Sequence, residues 1–291
     1  MTEQILQQKP KRVGLIQVDG KLPNLALLKL DKFYSDQGCE VTYIDISSHQ
    51  FDQIFASKVF VAGSGYDLTA KLPEGIEVLT PDYEKYNLDY SFGFTSRGCV
   101  RNCEFCIVMP KEGYFHDVSY NWTNGKKRVL LLDNNFFLSK IWKQKLQYFI
   151  DNKIKVCFNQ GLDIRLIDDE KAEMLSKVLY YDDQFKTRRL YFAFDKQEIE
   201  AILPEKIAIL GKYGIKPSHL MFYFIVNHHT THEQDYHNFE VLRNLGTKPY
   251  PMCYKKWTAP RVTRDFLRWI NRGYYRFVTF ADYQAKVRKT K

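Results

Sequence analysis

Apolar and polar positions along this chain fall into blocks that read as strands followed by helices. Residues 13–18 form an apolar run ending in Asp19-Gly20, a strand and its turn. Residues 24–34 carry Leu25, Leu27, Leu28 and Leu30 at helical spacing, with Phe33 beyond, and predict a helix. Residues 40–45 alternate as a strand, and residues 59–62 make another before Gly63-Ser64-Gly65. That order predicts a small parallel α/β unit. Pro73, Pro81 and the stretch Tyr83-Glu84-Lys85-Tyr86-Asn87 then read as a linker. Beyond it the alternation becomes regular. Strands are expected at 128–133, 154–159, 189–194, 220–226 and 249–253. Helices follow at 138–151, 167–179, 197–213, 231–245 and 262–272. With residues 90–94 as the first strand, these make six strand–helix units, the rhythm of a parallel β/α architecture. Val129-Leu130-Leu131-Leu132 and the run from Met221 to Val226 are apolar enough for strands buried on both faces.

At 291 residues the chain can hold a substantial core in one or two domains. No apolar run is long enough to cross a bilayer, so no membrane association is expected. The polar opening, residues 1–12, has no signal-peptide core. The expectation is therefore a cytoplasmic protein with reduced cysteines rather than a disulfide framework. The formal charge of +9 is unevenly spread. From Lys248 to Lys291 twelve Lys or Arg face only Asp265 and Asp282, and the remainder is close to neutral. Aromatics interleave with those charges, among them Tyr250, Trp257, Phe266, Trp269, Tyr274 and Phe277. Basic groups beside stacking surfaces suit RNA or another polyanion. A solvated basic helix whose aromatics pack on the body of the protein is the alternative.

Cys99, Cys103 and Cys106 stand in the stretch Thr95-Ser96-Arg97-Gly98-Cys99-Val100-Arg101-Asn102-Cys103-Glu104-Phe105-Cys106. Three thiolates spaced C-x₃-C-x₂-C can ligate three irons of a 4Fe–4S cubane, and no fourth cysteine lies nearby. One iron is then open to a substrate. Zinc would ask for four ligands, usually two separated pairs. Cys39, Cys157 and Cys253 are isolated and read as small apolar residues.

This motif, with Phe105 just before the last cysteine, resembles that of the radical S-adenosylmethionine (SAM) superfamily. The resemblance covers residues 89–256. It implies a partial (β/α)6 barrel at 89–256, preceded by a Rossmann-like, degenerate cobalamin-binding-type α/β domain at 1–88 and followed by a basic extension at 257–291. It implies that the open iron holds the amine and carboxylate of SAM. One electron, from an external donor such as flavodoxin or ferredoxin, then cleaves the sulfonium to methionine and a 5′-deoxyadenosyl radical. The Asp-x-His-x-x-Gly cobalamin signature is missing, since no histidine follows Asp19 until His49, and cobalamin is not expected. Gly-Phe-Thr-Ser-Arg-Gly-Cys and Asn-Gln-Gly-Leu-Asp-Ile-Arg are most similar to stand-alone proteins of this kind, whose substrates do not come with the resemblance. A second cluster is not expected, because neither end of the chain offers three further cysteines.

In β/α barrels the reactive groups gather at the carboxyl ends of the strands. By position, Asp133, Asn134 and Asn135 would hold the SAM amino group, and Phe105 would stack near the adenine. Gly161 permits a sharp turn after the next strand. There Gln160 offers an amide, Asp163 a ribose acceptor and Arg165 a partner for the SAM carboxylate, with an Asp163–Arg165 structural pair as the alternative. Asp195 is a ribose candidate or a helix cap. Asn227-His228-His229-Thr230-Thr231-His232-Glu233 reads either as a metal site or as hydrogen-bond donors ahead of a helix that Thr231 and Glu233 cap. The functional expectation is a radical SAM enzyme. The alternative is a non-catalytic iron–sulfur electron carrier or nucleic-acid-binding protein.

Overall fold

Alternating strands and helices favour parallel sheets, and the chain builds such sheets in two places. The computed structural model describes residues 10–20, 23–45, 50–57, 73–76, 79–119, 123 and 125–289. The chain divides into two compact units, Met1–Gly93 with Ser119–Gly125, and Phe94–Val118 with Lys126–Lys291. The main stretch of the first unit ends at Gly93, and residues 257–291 lie in the second unit.

In the first unit, β1 (Arg12–Gln17), α1 (Leu25–Ser35), β2 (Glu40–Tyr43) and β3 (Gln53–Ser57) form a parallel α/β layer with strand order β2-β1-β3. The side chain of Asn24 accepts from the N–H groups of Ala26 and Leu27 (3.0 and 3.3 Å), which sets where α1 begins. Leu27 and Leu30 pack with Val13, Leu15 and Phe55 to make the core. The expected strand at 59–62, Gly63-Ser64-Gly65 and His49 lie outside the described residues, and β3 lies ahead of that strand. Residues 83–87 are a tied turn rather than a loose linker. Buried Tyr83 donates to the Phe92 carbonyl at 2.9 Å, and Lys85 reaches the buried Asp31 carboxylate at 2.7 Å. The Tyr86 hydroxyl donates to that same carboxylate. β4 (Ser91–Gly93) ends the unit.

The second unit opens with an antiparallel pair, β5 (Ser96–Arg97) and β6 (His116–Asp117), separated by α2 (Val108–Glu112). There follow β7 (Arg128–Leu131), α3 (Trp142–Asp151), β8 (Lys155–Phe158), α4 (Asp169–Lys177) and β9 (Leu179–Tyr180). Next come β10 (Leu190–Ala193), α5 (Leu203–Lys212), β11 (Leu220–Val226), α6 (His232–Asn244) and β12 (Lys248–Cys253). β7, β8 and β9 pair in parallel, as do β10, β11 and β12. The two ladders meet where Leu162, just after β8, bridges Phe192 in parallel and donates its N–H to the Tyr191 carbonyl at 2.7 Å. This is an α/β fold built on parallel sheets, as the alternation predicts. The short β9 takes the end of the segment expected to be helical, because α4 stops at Lys177.

The chain ends in α7 (Arg261–Asn271) and α8 (Phe280–Lys289), the latter unforeseen. Phe266 and Trp269 of α7 pack against Phe239 of α6 and Phe280 of α8, and the Trp269 indole donates to the Val278 carbonyl at 2.9 Å. Those aromatics are therefore core. Trp257 and Phe277 stay exposed, and Arg261, Arg264, Arg268 and Arg272 line the opposite, solvent side at spacings of three and four. Among the described residues no helix is long and apolar enough to cross a membrane.

Candidate functional site

The three clustered cysteines occupy the loop between β5 and α2. Its root is held by a buried polar knot. The Asp133 carboxylate, which follows β7, accepts from the Thr95 N–H at 2.6 Å, from the Ser96 hydroxyl at 3.0 Å and from the Thr95 hydroxyl. Lys145, on the buried face of α3 and fully inaccessible, donates to the Thr95 carbonyl (2.8 Å) and pairs with Asp117 on β6 (2.7 Å). Asp133 is thus engaged in fixing the loop. Burial pushes its carboxyl above the ordinary range against these hydrogen bonds.

A second anchor is Glu112 at the end of α2. Its carboxylate accepts from the Gly98 N–H (3.1 Å) and the Asn134 amide (2.8 Å). Asn134 is therefore also a loop holder. Gly98, directly before Cys99, has φ +70°, and a Cβ there would lie 2.3 Å from the Tyr114 carbonyl oxygen and 2.6 Å from that of Gly113. No side chain fits against that backbone. Gly98→Ala is expected to cost at least ~2 kcal/mol through left-handed strain and the clash. Urea unfolding of the variant beside the parent checks this.

Within the loop, the Arg101 N–H points at the Cys99 sulfur (3.3 Å), and the Cys106 N–H donates to the Cys103 carbonyl at 3.0 Å. Cys99 is buried, while Cys103 and Cys106 are half-buried. Burial and the neighbouring Cys106 raise the Cys103 thiol pKa, and Lys196 after β10 opposes them. Among the described residues the three sulfurs do not converge within 4.8 Å of one another, as three ligands of a single small ion would. Cys39 and Cys157 are buried far from the loop in sequence, and the Cys253 sulfur faces the Tyr254 carbonyl.

Four strand ends converge on this loop. Beyond β7 stand Asn134 and Asn135, and beyond β8 stands Asp163. Asp163 accepts from the Arg101 guanidinium (3.0 Å) and from that of Arg165 (2.7 Å). Burial works against the ionised form of Asp163, but the two guanidiniums outweigh it and hold its pKa below the ordinary carboxylate range. Asp163 is the hub of a two-arginine cluster, with the expected Asp163–Arg165 pair as one half of it. Gly161 turns the chain at φ +96°, as expected, and Gln160 beside it is exposed. Asn135 is buried, its amide 3.4 Å from Asp163, and its Oδ1 has no hydrogen-bond partner among the described residues. Beyond β10, Asp195 accepts from the Ile225 N–H at 3.0 Å, and burial pushes its pKa up to about 6. It is not a cap on the helical turn that follows, whose capping residue is Lys196.

Beyond β11, His228 packs edge-on against Phe105 (ring centroids 5.4 Å) and Tyr254 (4.6 Å). The side of Phe105 that faces His228 is thus occupied by an imidazole. Thr231 caps α6 in a box completed by Gln234 rather than Glu233. The histidines part company, because His232 turns into the aromatic core against Phe266 and Phe280.

Sequence reasoning missed Lys145, Glu112 and Arg101 as site builders. Lys145 alone left a signal: it falls on the Trp142-Leu146-Phe149 stripe of α3, where an apolar residue is expected. The chain matches no protein-family model, and none of the curated proteins matches it.

Proposed function

We propose that this protein is a radical SAM enzyme, with one 4Fe–4S cluster on Cys99, Cys103 and Cys106. The observation that carries the reading is the clasping of one three-cysteine loop over the carboxyl ends of β7, β8, β10 and β11. The donor set fits the group: three thiols, each free of any disulfide, leave one iron of a cubane open. Bound there, the cluster supplies the electron that cleaves SAM reductively to a 5′-deoxyadenosyl radical, drawing on a donor such as flavodoxin or ferredoxin. The chain's own residues bind and orient. The unpartnered Oδ1 of Asn135 is the acceptor for the SAM amino group, in place of Asp133. Arg101 and Arg165 share the Asp163 carboxylate, Arg165 also lies 3.9 Å from Glu198, and the remaining guanidinium N–H groups are the donors for the SAM carboxylate. Asp195, whose Oδ1 takes a backbone N–H, is the ribose acceptor, and the half-buried Phe105 borders the adenine.

The strands β7, β8, β10, β11 and β12 of the second unit are read as strands of the partial barrel, and the first unit as its degenerate cobalamin-type companion. The arginine side of α7, with exposed Trp257 and Phe277, supports RNA or another polyanion as substrate. Replacing Arg264, Arg268, Arg272 and Arg276 with Gln is expected to flatten the salt dependence of oligonucleotide binding, by about 0.7 in slope for each phosphate that is no longer neutralised. Identical slopes in both proteins would point to a small metabolite or peptide instead.

The function itself is tested by anaerobic reconstitution followed by a strong reductant and SAM. Formation of 5′-deoxyadenosine supports the enzyme. A fully loaded, reducible cluster that forms none favours the electron-carrier alternative, and a zinc-loaded protein with no reducible cluster removes both.

A further inference from the structure

His228 and His229 are adjacent in sequence, yet their rings sit together on one side of the turn after β11, with centroids 4.5 Å apart. Side chains of neighbouring residues ordinarily diverge. Here Asn227 and His229 both adopt positive φ (63° and 54°), which folds the turn back on itself. Non-glycine residues hold that conformation only when their surroundings impose it. The surroundings do: the Asn227 N–H donates to buried Asp235 of α6 (3.3 Å), and its side-chain amide donates to the Tyr254 carbonyl (3.0 Å). Tyr254 and Phe105 then wall in the His228 ring.

A carboxylate comes to this pair from 125 residues away. Glu104, between Cys103 and Phe105, lies with an Oε atom 3.2 Å from the His229 Nε2. One ligand atom from each of Glu104, His228 and His229 falls within 4.8 Å of the other two. Bonds of ~2.1 Å in a tetrahedron need ligand atoms roughly 3.4 Å apart, so small rotations of two exposed side chains complete the set.

We propose that Glu104, His228 and His229 bind one divalent transition-metal ion, beside the cysteine loop and separate from any cluster on it. Two imidazoles and a carboxylate select zinc, cobalt, nickel or ferrous iron over magnesium or calcium, which demand oxygen ligands throughout. Three protein ligands leave a coordination position for water or an oxygen of a substrate. The ion also ties the cysteine loop to the turn after β11, so it stiffens the loop's outer edge, opposite the Asp133–Lys145 root.

The test uses the full-length chain with Cys99, Cys103 and Cys106 replaced by Ala to remove thiolate competition, its folding checked by circular dichroism. Titration with zinc against a chromogenic chelator is expected to find one ion per chain, with no response to magnesium. His228→Gln, His229→Gln and Glu104→Gln should each weaken zinc by about tenfold or more. Glu104 and His229 side chains are 75% and 74% exposed, so these two changes leave the fold intact. Cobalt on the chain with its cysteines in place gives a second reading. The d–d bands of nitrogen- and oxygen-bound cobalt should vanish in His229→Gln, while sulfur-to-cobalt charge transfer from cysteine-bound cobalt stays. Zinc affinity unchanged in the His228→Gln and His229→Gln variants, or no ion retained by the parent, overturns the site.

Discussion

On the proposed function, Cys103→Ala is expected to leave the reconstituted protein without a cluster and without 5′-deoxyadenosine formation while leaving the fold in place. A cubane with three protein thiolates cannot lose one and keep its net charge and iron coordination. The fold is spared because Cys103 and Cys106 are half-buried members of a loop, not of the sheets. Their replacement should change unfolding free energy by no more than ~0.5 kcal/mol, and that of the buried Cys99 by ~1 kcal/mol. Cys253→Ala is the control, since its sulfur faces the Tyr254 carbonyl, and it should load iron like the parent. The measurements are iron and sulfide content, electron paramagnetic resonance of the reduced protein and chromatography of the nucleoside. A Cys103 variant that loads a full cluster and cleaves SAM would sink the assignment of the ligands.

The second large effect concerns stability. Lys145→Met should lower it by about 3 kcal/mol, the low end of what breaking a buried ion pair costs. Methionine reproduces most of the side-chain stem, so packing in α3 is retained and the loss isolates the ammonium. Without it the Thr95 carbonyl loses its side-chain donor, the Asp117 carboxylate loses its partner, and Asp133 loses a stabilising cation. The figure sits at the low end because Asp117 is one-third exposed and water can take over part of its solvation. On the proposed function iron loading should fall as well, because Thr95 stands only four residues before Cys99. Urea unfolding measures the first effect. A change under ~1 kcal/mol would show that the buried lysine is replaceable by its own stem.

Residues 220–226 were legible as a strand because a parallel strand buried on both faces needs an unbroken apolar run of that short length. Helix α7 was legible for the same kind of reason, its apolar and arginine positions separating at a period near 3.6. Short elements were not. β5, β6 and β9 have two residues each, too few for any period to register. β3 was not foreseen because its sequence, Gln53-Ile54-Phe55-Ala56-Ser57, has a polar residue at each end and only three apolar ones between.

The candidate site divides along the same line. Local spacing by itself determined the three-cysteine loop, the parallel α/β plan and the basic face of the tail, since each depends on residues a few positions apart. Only the tertiary structure decided which polar groups do what. Asp133 and Asn134 turned out to hold the loop, Asp163 to gather Arg101 and Arg165, and Asn135 to keep an acceptor unpartnered. Glu104 met His229 across 125 residues, and His232 left its neighbours for the aromatic core. The physical reason is that a polar side chain takes its role from its partners in space. Those partners are fixed by which strand ends the fold brings together, and no local period records that.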